Sequence, residues 1–343
     1  MGITHPVDQN EKTKMKIVSM ISALLITIAN VSYANDIALQ FPLDCSLGQD
    51  CFVQQFMDHD DTDNARDFTC GHATYDGHKG TDFRIKDLAA MKRGVPVLAV
   101  ADGQIVALRD DMADQLWTTP EQKAAIKGRE CGNGLVIQHA NGYQSQYCHM
   151  RLNSVTVENK DMVKAGDVLG MVGASGNTQF PHLHITMRKA RRVIDPFSIV
   201  DDDSCAFDRN NTIWDGAFLD AYDPQITQIF SMGFAPSAIK IDDIQQARFA
   251  EFSPQSETPA LVAFASAINM RAGDVFHIAF RGPNGVIANT KTDPLDRAKS
   301  RYLRFAGKKK PDGGWPSGDY IAEFSILRDG DVIETETITA KIP

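Results

Sequence analysis

The sequence predicts a mainly β protein: an antiparallel sheet domain followed by a second, sandwich-like set of strands. The first observation is a series of short β-branched runs split by turn dipeptides. "GVPVLAVADGQIVAL" divides at Asp102-Gly103, and "GLVIQHANGYQSQYCHM" reads as a hairpin turning at Asn141-Gly142. The second is a change of grammar along the chain, since all six cysteines lie before residue 206. The third is the run of strands that follows: "ALVAFASAINM", "VFHIAFRGP", "GVIANTKT", "RYLRFAGKK" and "GDYIAEFSILRDGDVIETETITAKI". In the last of these Tyr320, Ala322, Phe324 and Ile326 alternate with Ile321, Glu323 and Ser325 before a turn at Asp329-Gly330. Such spacing suggests an immunoglobulin-like β-sandwich, although the Cys-Trp-Cys pattern of true immunoglobulin domains is missing.

Three segments are expected: a signal peptide over 1–34, a β-sheet domain over 35–205, and a C-terminal sandwich over 206–343. Lys12, Lys14 and Lys16 lead into "IVSMISALLITIANVSYA", which ends in Ser32-Tyr33-Ala34. A basic start, an apolar stretch and small residues at the cleavage positions are the marks of an export signal. The apolar run is short for a spanning helix, and no later segment could cross a membrane. Export agrees with six cysteines, an even number suited to disulfides in an oxidising compartment. Cys131 and Cys148 fall on opposite arms at the open end of the hairpin, and Cys45 and Cys51 could close a small loop. The remaining pairing is open. The formal net charge of −9 argues against a nucleic-acid binder. Within the first domain the polar stretch 110–131 interrupts the strands, with helical potential around Pro120 to Lys127, and reads as an insertion at the sheet rim.

Chemistry is concentrated in three motifs. "FPHLHITM" places His182 and His184 two apart in a strand, so both imidazoles point to one face. "DGHKGTDF" sets His78 four residues before Asp82, between glycines that let the backbone curl around a site. Imidazole and carboxylate are good Zn²⁺ ligands, and three protein ligands leave a fourth position open for water. "QYCHM" adds Tyr147 and His149, which the same two-residue period puts on one face. Each motif alone is weak, because most buried histidines are simply hydrogen-bonded. His59, His72 and His139 are read as surface or structural residues. The acidic run "DHDDTDNARD", 58–67, reads as a solvated loop, with the alternative that its carboxylates mask a metal.

In order and spacing the blocks resemble the lysostaphin/LytM-type zinc metalloendopeptidases, the M23 peptidase family. The resemblance spans 71–197 and includes "HKGTDF", "VPVLAVADGQIVAL", "GNGLVIQHANGYQSQYCHM", "VKAGDVLGMVGASGN", "PHLHI" and "IDPF". It implies an antiparallel LytM-type fold, Zn²⁺ held by His78, Asp82 and His184, and His149 and His182 as catalytic residues flanking the zinc-activated water. It further implies an exported, periplasmic or secreted enzyme that cuts stem-peptide cross-links of peptidoglycan. The C-terminal sandwich would then be an accessory module for a wall or protein partner. Phe180 stands where the family usually has a small residue, which puts substrate preference in question. The competing readings are a non-enzymatic LytM-like wall-binding protein or amidase activator, and a D-alanyl-D-alanine carboxypeptidase. Three intact ligands weigh against the first, and the short His78-to-Asp82 step weighs against the second.

Overall fold

The protein is described from a computed structural model that covers residues 1–2, 37–200, 204–224 and 226–343. All but the first two residues of the expected signal peptide lie outside the described residues. Among the described residues no helix is long and apolar enough to cross a membrane.

The first part of the chain builds an eight-stranded antiparallel sheet. Its strands are β1 (Cys51–Gln55), β2 (Thr81–Ile85), β4 (Gly103–Arg109), β5 (Asn133–Gln138), β6 (Tyr143–Met150), β7 (Met162–Val163), β9 (His182–Lys189) and β10 (Arg192–Ile194). They are ordered β1-β2-β9-β6-β5-β4-β7, with β10 hairpinned onto β9. Two short strands, β3 (Pro96–Leu98) and β8 (Val168–Met171), pair separately. The β5–β6 hairpin turns at Asn141-Gly142, where both residues have positive φ, as the Asn-Gly signal requires. Between β4 and β5 the insertion carries one short helix, α2 (Pro120–Ala125). It is capped by Thr119 in a reciprocal box with Gln122 and follows the six-residue α1 (Leu88–Arg93).

One face of this sheet buries an apolar cluster running from Leu39 to Ile226. Phe83 of β2 sits at its centre with no solvent exposure, edge-on to Phe41 at 5.6 Å and to Trp214 at 5.9 Å. Phe83→Ala leaves a cavity in a region already close-packed, and a loss of about 3–5 kcal/mol is expected. A fall in the urea midpoint checks this; an unchanged midpoint would mean that the cluster does not hold the sheet.

The chain continues through α3 (Gly216–Ala221) and α4 (Ile241–Gln245) into two further antiparallel sheets. One is three-stranded, β11 (Gln228–Ala235), β12 (Ala260–Met270) and β15 (Lys299–Lys309). The other is four-stranded, β14 (Gly285–Lys291), β13 (Val275–Gly282), β16 (Gly318–Arg328) and β17 (Asp331–Ile342). Both sheets feed one apolar cluster, to which Leu261, Ala263 and Ala265 contribute from the first, and Phe276, Phe324 and Ile326 from the second. The alternation in β16 is as expected, with Tyr320, Ala322, Phe324 and Ile326 all buried.

Residues 35–343 form one compact unit. A small apolar cluster joins its two parts: Phe52 of β1 meets Phe230 of β11 edge-on at 6.2 Å, with Phe264 and Ile268 beside them. Three disulfides close the first part, Cys45–Cys51, Cys131–Cys148 and Cys70–Cys205. The third spans 135 residues and ties the loop before β2 to the segment after β10.

Candidate metal centre and its cleft

The register of β2 against β9 assembles the centre. Asp82 lies opposite His184, and Arg84 lies opposite His182. Partners across an antiparallel pair share a face, so these four side chains line the face of the sheet away from the Leu39–Ile226 cluster. His78 arrives from the turn before β2, helped by positive φ at Gly77. Gly80 makes the approach feasible, since a Cβ there would lie 2.2 Å from the Ile185 carbonyl and 2.8 Å from the His184 ring.

His78 Nε2, Asp82 Oδ1 and His184 Nδ1 form a near-equilateral triangle, with sides of 3.1, 3.1 and 2.8 Å. Ligands about 2.0–2.2 Å from a tetrahedral Zn²⁺ are separated by roughly 3.3–3.6 Å, so a modest opening of the triangle seats such an ion. Protonation points the same way. His78 Nδ1 sits on the Phe56 carbonyl, which can only accept, so the N–H is there and Nε2 carries a lone pair. That lone pair faces a carboxylate oxygen at 3.1 Å. Two acceptors face to face require a cation or a proton between them. His184 is oriented from behind by Thr186 Oγ1, 2.9 Å from its Nε2.

The electrostatics follow from this packing. Burial pushes His78 toward its neutral form, but the Asp82 carboxylate more than offsets it and raises its proton affinity. Burial alone would raise the Asp82 carboxyl; His78 and His182 hold it well below the usual carboxylate range. His184 is lowered by burial. A metal ion therefore displaces a proton from a site that holds it more firmly than ordinary histidine does. Divalent-metal affinity is expected to weaken as pH falls, beginning above about pH 6.5, by up to about tenfold per unit while one proton competes. Chelator competition between about pH 8 and pH 6 checks this; a flat profile would contradict it.

His149 and His182 stand next to the triangle, their ring centroids 4.6 Å apart. His149 Nδ1 donates to the Ser175 carbonyl at 2.8 Å, leaving Nε2 as an acceptor. Burial, reinforced by His182 and His184, holds its pKa well below the ordinary value. His182 Nδ1 faces the Phe180 carbonyl at 2.9 Å and Thr178 Oγ1 at 3.0 Å. Its Nε2 is 3.5 Å from Asp82 Oδ1.

The expected common face of Tyr147 and His149 is corrected by the structure. Tyr147 lies opposite Ile185 and faces the apolar core, where its hydroxyl accepts from the Val100 N–H at 2.8 Å. His149 reaches the metal side because its φ is +64°, a left-handed conformation that breaks the two-residue period. Its backbone is held on both sides, by Cys131 O and by the Gly173 N–H. Backbone strain of this kind clusters at active sites.

His59, His72 and His139 are structural or exposed, as expected. His59 pairs with buried Asp195 at 2.8 Å, His139 bonds the Asp102 carbonyl and Ser145, and His72 is exposed. The acidic run is engaged in its own turns. Asp58 accepts from the backbone of Asp60, Arg66 and Gly77, and Asp67 from that of Thr69, Gly71 and Ala73.

A cleft of about 350 Å³ opens over Asp82, His149 and His182. The insertion forms one side of it with Trp117 and Lys123, and β15 forms another with Ser300 and Arg301. Sequence reasoning missed Arg84, fully buried between the rings of Phe180 and Phe230 at 4.9 and 3.8 Å. Its signal was available: it stands two residues after Asp82 in a strand. Phe180, expected at the mouth, stacks flat on His182 at 4.4 Å.

Comparison with known proteins agrees with this geometry. Residues 76–196 match the model of peptidase family M23. DD-carboxypeptidase/endopeptidase Mpg of Neisseria meningitidis is 32% identical over 124 residues, which is 36% of this chain and 22% of that protein. Cell division protein DipM of Caulobacter vibrioides is 36% identical over 126 residues, 36% of this chain and 18% of that protein. Peptidoglycan DD-endopeptidase ShyB of Vibrio cholerae is 30% identical over 118 residues, 34% of this chain and 22% of that protein. The match thus spans about a fifth of these relatives' length. Among solved structures, the catalytic domain of lysostaphin from Staphylococcus simulans is 26% identical, with 35% of this chain and 76% of that chain covered at a TM-score of 0.25.

Proposed function

Residues 76–196 are a peptidase family M23 domain, and on that premise we propose that the protein is an exported zinc metalloendopeptidase that hydrolyses peptide cross-links of bacterial peptidoglycan. The observation that carries the reading is the triangle of His78 Nε2, Asp82 Oδ1 and His184 Nδ1, a buried set of acceptors that fits one tetrahedral cation. Two nitrogens and one carboxylate oxygen suit Zn²⁺ among the common divalent ions. Zn²⁺ held there would supply Lewis acidity toward a carbonyl oxygen and make water a better nucleophile near neutral pH. The names of the relatives, a DD-carboxypeptidase/endopeptidase in Neisseria and a peptidoglycan DD-endopeptidase in Vibrio, support the substrate class.

The chain's own residues then divide the remaining work. His149, neutral by burial and with Nε2 as an acceptor, is the base that takes a proton from the attacking water. His182, with its Nδ1–H held by the Phe180 carbonyl, donates from Nε2 to the oxyanion that develops on the scissile carbonyl when its ring is doubly protonated beside the Asp82 carboxylate. Phe180 and Thr178 fix the His182 ring by stacking and hydrogen bonding. Three disulfides support a periplasmic or secreted setting. We further propose that 206–343 is an immunoglobulin-like accessory domain after a peptidase domain over 35–205. In its favour, the Tyr320 hydroxyl bonds back to the Pro316 carbonyl at 2.8 Å near the start of β16, as in a tyrosine corner.

Purified peptidoglycan incubated with the zinc-loaded protein tests the reading. Cross-linked muropeptides should convert to uncross-linked ones with new free amines, and product masses name the bond. Release of terminal D-alanine alone would make the protein a carboxypeptidase. No product from any wall type would overturn the enzymatic reading and favour a binding role.

A further inference from the structure

Two arginines lie at this end of the cleft, Arg301 in its lining and Arg84 buried behind the lining residue Phe180, and neither has an acidic partner in an ion pair among the described residues. Arg84 lies on the metal-side face of β2, fully buried; its Nη1 is given to Gln54, and its Nε has no hydrogen-bond partner. Arg301, on β15, is half-buried and lines the cleft itself. Its polar contact is a long one, 3.4 Å from Nη1 to Gln245 Oε1. Gln245 in turn donates to the Gln179 carbonyl, which holds α4 and the loop before β9 together at this end of the cleft.

Burial lowers the proton affinity of Arg301. Among the cleft-lining residues the only carboxylate is Asp82, and it is committed to the histidines. Lys123 adds a further positive charge from the insertion. In a chain with a net charge of −9, Arg301 and Lys123 are cleft-lining cations that form no ion pair among the described residues. Unpaired, partly desolvated charge is costly, and a bound anion relieves it.

We propose that Arg301 is a specificity-determining residue that receives a carboxylate of the peptide substrate, with buried Arg84 behind it reinforcing the positive potential. Carboxylate is the group whose planar geometry a guanidinium fork matches, and Arg301 lines the same cleft as Asp82, His149 and His182. The C-terminal part of the chain thereby forms a wall of the substrate site. This inference rests on the peptidase reading for the identity of the substrate and on the cleft geometry for the binding site.

The test uses the whole protein and a synthetic D-alanyl–diaminopimelate cross-linked peptide in two forms, one with the diaminopimelate carboxylate beside the scissile amide free and one with it amidated. Equilibrium binding and cleavage are measured on both. The wild type is expected to bind the free carboxylate about 10–100-fold more tightly, the range of a charge-assisted bidentate contact. Arg301→Gln should abolish that preference while leaving the affinity for the amidated form and the zinc content unchanged. Arg301→Lys should restore part of it. Equal binding of the two peptides by the wild type, or a preference that survives Arg301→Gln, would overturn the proposal. If the carboxylate preference depends on Arg301 but neither peptide is cut, the carboxylate site stands and the endopeptidase reading falls.

Discussion

His184→Ala is expected to abolish zinc retention and to reduce peptidoglycan hydrolysis by at least about 10³-fold, since a Lewis-acid metal supplies several kcal/mol of transition-state stabilisation. The side chain is a corner of the triangle, 2.8 Å from Asp82 Oδ1 and 3.1 Å from His78 Nε2. Its removal leaves two protein ligands, too few for a stable catalytic site. The fold should survive, because His184 lies opposite Asp82 on the metal-side face and the neighbouring Leu183 and Ile185 carry the packing of β9. Zinc content by elemental analysis and an amine-release assay check both parts. A variant that kept stoichiometric zinc would show that His184 is not a ligand.

His149→Ala separates chemistry from metal binding. Zinc content should stay near that of the wild type, while kcat falls by about 10²–10⁴ with a smaller change in KM, the range for a lost general base. The position is unusual, since His149 holds φ at +64° with its backbone bonded to Cys131 and Gly173. His149→Asn is the companion variant, because asparagine tolerates the left-handed region better than alanine and retains a side-chain polar group. Both variants should lose activity alike if the imidazole Nε2 is the base. Recovery in His149→Asn alone would make the position a backbone feature instead.

Much of this centre was legible in the sequence because it rests on short-range geometry. His182 and His184 share a face by the two-residue strand period, and His78 and Asp82 meet across a glycine-flanked turn. The Asn141-Gly142 hairpin brought Cys131, just before β5, to Cys148 on β6 at its open end. What the period could not foresee was its own interruption. The left-handed residue at His149 turns that ring to the metal side and leaves Tyr147 in the core. The Cys70–Cys205 bridge depends on where the chain stands after β10, which no local pattern encodes. Phe230, Gln245 and Arg301 reach the first part of the chain from sequence positions far beyond it. Their approach depends on how the sheets pack, and strand grammar is silent on that. Arg84 is the opposite case, open to the same argument that found the histidines and obscured by the usual surface preference of arginine.

The most direct test of the account is zinc K-edge X-ray absorption on the zinc-loaded protein, with Asp82→Asn beside it. One zinc with two imidazole nitrogens, a carboxylate oxygen and one further light-atom ligand, all at about 2.0–2.2 Å, is expected, with loss of that signature in the variant. A shell containing sulfur, three or more imidazoles, or a signal unchanged in Asp82→Asn would place the metal elsewhere and contradict it.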